Sequence, residues 1–559
     1  MEFSHAIKGR HLQFSRFIHT NQPAAVQPAI PSPDGSLVAV QTATHLDIRS
    51  TINLSLIHSI QIPPRFRGAN VRWSPIPPDS KKPKRIVLYN DTGARVENVS
   101  GHLGHAVIDR GSGGLGKIVN VDFGRTESEV LIFQEFGAKV TIWNLHTARS
   151  IDIKDPKFPS KGHTYRPGSR HFTLLSRPGP QDVLTVHALN SYAVIWTVSL
   201  PTMDAQGLVW SPDGRFIALW DAPSVGCRVY VYTATGDLYR VYSCSNNDAA
   251  NPDIELGVRS LAWSPTGDYL AVGCYDCRVR LLSTKTFSPL MYLDHTTPIH
   301  LPSHPDSSSS SAPLRVWHED VSGPSNRHYT PITQPISPPT TPHSSSPESF
   351  KETGISILAF SPSGSLLATR LDTLPTTAWI WDIQRSLPAA VLIHHTPIKY
   401  LSWHPSMADL LLIQCAHEEG VLYFWDSSSG IPWLENVSAS TWKKDGGKLS
   451  LRWLPAPSLE SKPAVLFGSK TGFCVGWPRG RDVHAEPEVE GNGGEEKEDE
   501  ESEESLDSVY RVLTGRSPFK VSTGGDTEIL VSDVLDETTE MNDTFAGRNG
   551  RVIASGDLN

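Results

Sequence analysis

The sequence has little of what marks several common classes of protein. Its 559 residues contain no run of about 18 apolar residues, the length that a membrane-spanning helix needs, so we expect no transmembrane segment and no membrane partner. The first residues, MEFSHAIKGRHLQFSRF, have no apolar stretch behind a basic start, so we expect no secretory signal. Only 6 residues are cysteine, which excludes a disulfide scaffold and predicts reduced thiols in a reducing compartment.

Motifs that carry catalysis or bind cofactors are also missing. The chain has no GxxxxGK[ST], HExxH or GxSxG, and its 22 histidines show no spacing typical of a metal or acid–base site. Cys274 and Cys277 form a CxxC at a turn between two expected strands, without the second cysteine or histidine pair of a zinc site. Residues 111–116 fit GxGxxG, but a strand follows them instead of the helix that a dinucleotide site requires. The sequence therefore predicts no catalytic residue, no metal and no cofactor.

Charge is sparse and unevenly distributed. Residues 485–559 hold 20 Asp/Glu and 6 Lys/Arg, a net charge of −14, which leaves +5 for residues 1–484. So small an excess does not make the electrostatic footprint of a nucleic-acid binder, and we expect no nucleic-acid partner. A short basic cluster at 81–85 is a solvated loop, a nuclear signal or a contact for an acidic partner, and the residues alone leave these interpretations open.

What the chain does contain is an internal repeat. The segment LVWSPDGRFIALW (208–220) returns as LAWSPTGDYLAVG (261–273) and LAFSPSGSLLATR (358–370), and six weaker copies bring the number of units to nine. The residue before the Ser-Pro or equivalent step defines a slot, occupied in order by Pro31, Trp73, Phe123, Leu175, Trp210, Trp263, Phe360, Trp403 and Trp453. Without an insertion at 296–353 the mean spacing is about 45 residues, the length of a WD40-type propeller blade.

A second recurrent strand follows most copies and carries its own aromatic slot. The tryptophans of that slot are Trp143, Trp196, Trp381, Trp425 and Trp477. Large rings that recur once per unit fill the space between neighbouring sheets, so we interpret them as packing residues. The sequence predicts an all-β protein, a WD40-type β-propeller of about nine degenerate repeats in which seven to nine blades close the ring.

The composition divides the chain into four parts. Residues 1–295 hold repeats 1–6, residues 296–353 form a Ser/Pro-rich insertion, residues 354–480 hold repeats 7–9, and residues 481–559 form an acidic tail. The insertion contains SSSSS and PISPPTTPHSSSPES, so we expect it to be disordered, and the tail to be largely disordered. Serines and threonines before proline are candidate phosphorylation sites, although such dipeptides also arise by chance: Thr330, Ser337, Thr341, Ser346 and Ser517.

Over about 29–480 the chain resembles the WD-repeat family, and Trp381-Asp382 and Trp425-Asp426 keep its WD dipeptide. More specifically, over about 1–480 it resembles a fungal-type member of the WD-repeat protein eight family of centrosomal and spindle-pole-body proteins. The segments that carry this resemblance are the start with Met1, Phe3 and Ser4, then LVWSPDGRFIALWD, SLAWSPTGDYLAVGCYDCRVRLL and ILAFSPSGSLLATRLDTLPTTAWIWDIQ.

The resemblance implies a non-enzymatic scaffold in the cytoplasm and cytoskeleton, at the spindle pole body or another microtubule-organising centre. Such a scaffold helps to anchor microtubule minus ends and to organise the mitotic spindle, with a coiled-coil anchoring protein and a kinesin-14 as partners. The resemblance transfers no individual binding residues. One alternative is an adaptor subunit of an RNA-processing, ubiquitin-ligase or trafficking complex, and another is a propeller-fold hydrolase, which would need convergent carboxylates or a metal at the ring centre.

Overall fold

The fold consists almost entirely of short antiparallel strands. The computed structural model describes residues 18–21, for their backbone alone, and residues 25–480. Gaps in that range lie at 78–82, 100–103, 110–115, 244–255, 302–313, 324–325, 341–352, 408, 418–419, 438–448, 456–461 and 471. The helical elements of the described residues are three 3₁₀ turns, Pro64–Phe66, Glu135–Gly137 and Pro223–Val225. No helix in this part of the chain is long and apolar enough to cross a membrane.

The strands form nine sheets, or blades, that follow one another along the chain. The first strand, β1 (Ile18–Asn21), precedes blade 1. Blade 1 is β2 (Ile30–Pro31), β3 (Leu37–Gln41), β4 (His45–Ser50) and β5 (Leu56–Gln61). Blade 2 is β6 (Asn70–Trp73), β7 (Arg85–Tyr89), β8 (Gly93–Asn98) and β9 (Ala106–Asp109). Blade 3 is β10 (Ile118–Phe123), β11 (Glu129–Gln134), β12 (Lys139–Asn144) and β13 (Arg149–Lys154).

The next three blades repeat this order. Blade 4 is β14 (His163–Tyr165), β15 (Phe172–Ser176), β16 (Val183–His187) and β17 (Val194–Ser199). Blade 5 is β18 (Gly207–Trp210), β19 (Phe216–Trp220), β20 (Arg228–Thr233) and β21 (Leu238–Ser243). Blade 6 is β22 (Val258–Trp263), β23 (Tyr269–Cys274), β24 (Arg278–Ser283) and β25 (Pro289–Asp294). The first strands of neighbouring blades approach one another, so they line the centre of the ring.

A hairpin of two further strands, β26 (Arg315–Gly323) and β27 (Asn326–Pro331), comes before the last three blades. Blade 7 is β28 (Ile355–Phe360), β29 (Leu366–Leu371), β30 (Thr377–Asp382) and β31 (Leu387–Ile393). Blade 8 is β32 (Ile398–Trp403), β33 (Leu410–Cys415), β34 (Val421–Asp426) and β35 (Pro432–Asn436). Blade 9 is β36 (Ser450–Leu454), β37 (Ala464–Gly468) and β38 (Gly472–Gly476), completed by β1.

Nine apolar clusters hold the blades together, and each lies between two neighbouring blades. Between blades 8 and 9, for example, Phe424 packs in one cluster with Phe467. The cluster that contains Val38 of blade 1 and Val475 of blade 9 closes the circle. The all-β propeller prediction is therefore confirmed, and the number of blades is nine.

The N-terminal strand belongs to the last blade. β1 pairs antiparallel with β38, in a register that sets Ile18 opposite Val475. Residues 18–21 therefore lie apart from repeats 1–6, with which the sequence had grouped them. This pairing covers the edge of β38 and joins two segments that are more than 400 residues apart in the chain.

The structure corrects the prediction that the whole insertion at 296–353 is disordered. Within it, β26 pairs in parallel with β31, so that blade 7 becomes a six-stranded sheet with the hairpin at its outer edge. Val316 is fully buried in the cluster between blades 6 and 7, which gives the hairpin apolar contacts of its own. Residues 302–313, 324–325 and 341–352 of the insertion, and the tail at 481–559, lie outside the described residues.

Blade 4 is shifted by one strand relative to the sequence alignment. Leu175 had been aligned with slot residues that lie on first strands, but it lies on β15, the second strand of its blade. Trp196 had been aligned with tryptophans of the second recurrent strand, which is the third strand of the other blades, but it lies on β17, the fourth. The innermost strand of this blade, β14, ends at Tyr165. With Tyr165 in the slot the two neighbouring spacings become 42 and 45 residues, closer to the period of the other units.

Candidate functional site

The slot aromatics lie at or next to the end of the innermost strands, where they join each blade to the preceding one. The residues so placed are Trp73, Phe123, Trp210, Trp263, Phe360, Trp403 and Trp453. The indole N–H groups of Trp73, Trp263, Trp403 and Trp453 donate to the backbone oxygens of Ile30, Val209, Ala359 and Ser402, at 2.9, 3.3, 2.8 and 2.9 Å respectively. Each acceptor precedes the slot residue of the neighbouring blade, so one bond recurs around the ring and satisfies the polar atom of a buried or half-buried indole.

The second set of tryptophans is less uniform. Trp143, Trp381 and Trp425 lie on the third strands of blades 3, 7 and 8, and Trp477 directly follows the third strand of blade 9. The displaced Trp196 instead donates its indole N–H to the oxygen of Ala234 in blade 5, at 3.1 Å. It therefore also packs between blades, from the outer side of the ring.

A buried hydrogen-bonded group of His295, Thr369 and Trp381 was missed in the sequence. His295 Nε2 lies 2.7 Å from Thr369 Oγ1, and Trp381 donates its indole N–H to the same hydroxyl at 2.9 Å. Burial is the largest cause that lowers the pKa of His295, to about 4, so the imidazole is neutral near pH 7. His295 and Thr369 are 74 positions apart because the insertion lies between them, so nothing in the sequence indicated this hydrogen bond.

The cysteine pair at 274–277 lies at the turn from the second to the third strand of blade 6. Burial raises the pKa of the Cys274 thiol to about 12 and also raises the pKa of Cys277, so neither thiol is activated. The residues that the structure describes contain no group of three or more His, Cys, Asp or Glu side chains that could hold a metal ion.

Cys274, Cys277, Cys415 and Cys474 are free, whereas Cys227 is disulfide-bonded, in contrast to the prediction that all thiols are reduced.

The structure describes only part of the two remaining motifs, the basic cluster at 81–85 and the GxGxxG match at 111–116. Lys84 of the basic cluster donates hydrogen bonds to Asp34, and to Ser36 at 2.7 Å, so it joins blade 2 to blade 1. Lys81 and Lys82 lie outside the described residues. Residues 111–115 of the GxGxxG match lie outside them too, and strand β10 follows Gly116, as the sequence predicts for a loop between blades.

The candidate phosphorylation sites fall in different environments. Thr330 is half-buried on β27, where its hydroxyl donates to Asp320 Oδ2 at 2.6 Å, so it does not lie in an open, extended segment. Ser337 is exposed after that strand. Thr341, Ser346 and Ser517 lie outside the described residues. Of the two described sites, Ser337 is the accessible one.

A buried ionic network fixes the insertion hairpin to blade 8. Glu319 on β26 is fully buried, and its Oε1 accepts from Arg327 Nη1 at 2.8 Å and from the Tyr423 hydroxyl at 2.7 Å. Its Oε2 accepts from the backbone N–H of His395 at 2.8 Å. Burial raises the pKa of Glu319, but these donors outweigh burial and lower it overall, so the carboxylate stays ionised.

Blades 5 and 6 have a different outer edge, which we name the apolar rim. It comprises Leu238, Tyr239 and Val241 on β21 together with Leu290 and Tyr292 on β25, all between 43% and 57% exposed. The Tyr239 hydroxyl donates to the backbone oxygen of Lys285 at 3.4 Å, which brings the two blades side by side. In blade 3, by contrast, the outer strand reads RSIDIK and exposes charged and hydroxyl side chains. Clustered apolar groups on neighbouring edge strands indicate a protein contact surface.

A cavity of about 700 Å³ lies at the ring centre, against the inner strands of blades 8 and 9. Lys399, Tyr400 and Arg452 are exposed in its wall, and Ser402 and Ser450 add two hydroxyl groups. This donor-rich lining suits an anionic ligand.

Comparisons with known proteins agree with this architecture. Residues 254–283, in blade 6, match the family described as WD domain, G-beta repeat. The chain is similar to the WD repeat-containing protein WRAP73 of Mus musculus, with 28% identity over 392 residues, which are 68% of this chain and 81% of the relative. An uncharacterized WD repeat-containing protein of Schizosaccharomyces pombe is 26% identical over 362 residues, 62% of this chain and 69% of the relative.

A solved structure titled "Crystal structure of the eukaryotic initiation factor" superposes with a TM-score of 0.45 and 12% identity, over 75% of this chain and 90% of that one. With its nine blades the chain is a β-propeller, and it is similar in sequence to WD-repeat proteins.

Proposed function

We propose that this propeller is a non-enzymatic scaffold of the spindle pole body or centrosome, which helps to anchor microtubule minus ends through a coiled-coil partner and a kinesin-14. The observation that carries the scaffold role is the apolar rim: two neighbouring edge strands with five exposed apolar side chains in a closed ring. The resemblance of residues 1–480 to the WD-repeat protein eight family supports the location.

The rim suits a helical partner. Leu238, Val241 and Leu290 offer aliphatic contacts, and the two tyrosines add large, stiff rings whose hydroxyls can reach water at the border of an interface. A coiled-coil protein that exposes an apolar stripe has the matching chemistry. The ring supplies rigidity because each blade packs on both of its neighbours, so surface side chains vary without unfolding the sheets.

Live imaging of the full chain fused to a fluorescent protein at its native level tests the location. We expect one or two foci that coincide with the spindle poles through mitosis. A diffuse nuclear signal or a vesicular signal would contradict the proposal and favour the adaptor alternative. The scaffold role is tested separately, through the rim substitutions described in the Discussion.

A further inference from the structure

The central cavity brings together two exposed cations from neighbouring inner strands. On the inner strands, Arg72 pairs with Asp122 of the next blade, and Arg259 pairs with Asp372 at 3.4 Å. Lys399 and Arg452 lie on the inner strands of blades 8 and 9, and among the described residues neither has a carboxylate partner. The inner wall is therefore neutralised at these two pairs and positively charged at the cavity.

The chain carries a segment of opposite charge directly after blade 9. Residues 486–504 contain eleven carboxylates and one lysine. They follow Gly480, where the described part of the chain ends. Glu486 lies six positions after Gly480, a step that in extended form reaches about 20 Å.

The chain leaves the ring close to the cavity. Arg479 bonds to Asp426 at the end of the third strand of blade 8. Besides burial, the charge of Arg479 lowers the pKa of His404, so the guanidinium lies within electrostatic range of that imidazole. His404 directly precedes Pro405, which lines the cavity. A tether of about 20 Å that starts here can deliver the acidic segment to Lys399 and Arg452 at a high effective concentration.

We propose that the acidic segment 486–504 binds in cis to the central cavity through Lys399 and Arg452, and thereby competes with acidic peptides of partner proteins for that cavity. The carboxylates satisfy the two exposed cations, and the Tyr400, Ser402 and Ser450 side chains supply further hydrogen-bond donors. The contact weakens with salt, because the Debye length falls from about 8 Å at 0.15 M to about 3 Å at 1 M.

Zero-length carbodiimide crosslinking of the purified full chain, read by mass spectrometry, tests the contact directly. We expect amide links from Lys399 Nζ to carboxylates of 486–504 in the monomer, and their loss at about 1 M salt. Lys154, which is exposed on the outer strand of blade 3, is the matched control lysine and should not link. Equal linkage of Lys154 would overturn the proposal, and links found in a dimer alone would assign the cavity to the tail of a second copy and overturn binding in cis.

A competition experiment gives a second readout. We compare the wild type with a full-length variant in which the eleven carboxylates of 486–504 are replaced by amides. A labelled peptide of residues 486–505 should bind the variant at least about tenfold more tightly, because the tethered competitor is removed. Lys399→Glu with Arg452→Glu in that variant should abolish binding, and Arg149→Glu with Lys154→Glu, an equal charge change on blade 3, should not. Equal affinity for wild type and variant, or binding that survives Lys399→Glu with Arg452→Glu, would contradict the proposal. Both assays use purified protein, so they do not depend on the cellular location.

Discussion

The outer edge of blades 7 and 8 and the outer edge of blades 5 and 6 start from the same strand order but end differently. In blade 7 the hairpin β26–β27 extends the sheet by two strands and lies against β35 of blade 8, with Glu319 and Arg327 sealed between them. In blades 5 and 6 the fourth strands β21 and β25 stay bare and expose the apolar rim.

One ring therefore has two kinds of outer strand edge, one covered by the hairpin and one exposed to solvent. An exposed edge strand can pair with other chains, so proteins commonly cover it, charge it or use it as an interface. Here the insertion covers one part of the circumference with apolar and ionic contacts, whereas the rim remains available for a partner. Substitutions on the covered side should therefore change stability, and substitutions on the bare side should change binding.

The largest effect is expected for Glu319→Ala. This change removes the carboxylate that faces the buried Arg327 guanidinium and leaves the Tyr423 hydroxyl with one partner fewer, so we expect the free energy of unfolding to fall by about 3–5 kcal/mol. Urea denaturation measures this loss of stability, and the backbone amides of β26 and β27 should exchange hydrogen faster than in the wild type. The control Asp294→Asn breaks an exposed pair with Arg278 and should change stability by less than about 0.5 kcal/mol. A loss below about 1 kcal/mol for Glu319→Ala would contradict the sealed arrangement.

A pH-dependent effect follows from Glu435 on β35, the strand that β27 covers. Burial raises the pKa of Glu435 from 4.5 to about 7 in the folded protein, so the folded state binds more protons than the unfolded state between these values. Its contribution to stability is therefore fully present below about pH 4.5 and is lost as the pH rises through about 7.

Glu435→Gln should remove this dependence. Because the carboxyl retains some contact with water, we expect the variant to be about 1–2 kcal/mol more stable than wild type at pH 8, and of similar stability at about pH 4.5. Urea denaturation of both proteins across this range measures the difference. A difference that does not vary with pH would contradict the buried environment of Glu435.

A smaller effect is expected for Trp317→Phe on β26. The indole N–H of Trp317 donates to the backbone oxygen of Gly430 at 3.1 Å, one of the bonds that hold the hairpin against blade 8. Phenylalanine keeps most of the apolar contact and removes the donor, so we expect a loss of about 1 kcal/mol, measured by thermal and urea unfolding. If the variant were as stable as wild type, this bond would have no part in holding the hairpin.

The sequence predicted the architecture because its signals are local. A turn such as Ser-Pro-Asp-Gly with an aromatic residue before it marks each inner strand, and the period identifies the blade. This signal failed in blade 4, where the turn sequence is Arg-Pro-Gly and occurs twice. The first copy, Arg166-Pro167-Gly168, follows β14, and the second, Arg177-Pro178-Gly179, follows β15. The alignment took the second occurrence, and Leu175 and Trp196 moved by one strand.

The parts that depend on distant pairing were not accessible in this way. The parallel pairing of β26 with β31 joins residues about 75 positions apart, and the Ser/Pro-rich flanks conceal a hairpin that contains Val316, Trp317 and Tyr329. Lys399 and Arg452 are 53 positions apart, so their shared cavity depends on the relative placement of two inner strands. In each case the information lies in contacts between units and not in the pattern within one unit.

The scaffold role is tested most directly by affinity capture from mitotic cells, with the wild-type chain, the rim variant Leu238→Lys with Leu290→Lys, and the control Leu56→Lys compared side by side. Leu56 is a similarly exposed leucine on the outer strand of blade 1, and all three proteins should have stabilities within about 0.5 kcal/mol of one another. We predict that wild type and control capture a coiled-coil spindle-pole protein and a kinesin-14, and that the rim variant loses both. Capture of the same proteins by the rim variant, or capture of RNA-processing, ubiquitin-ligase or trafficking subunits by the wild type, would contradict the account.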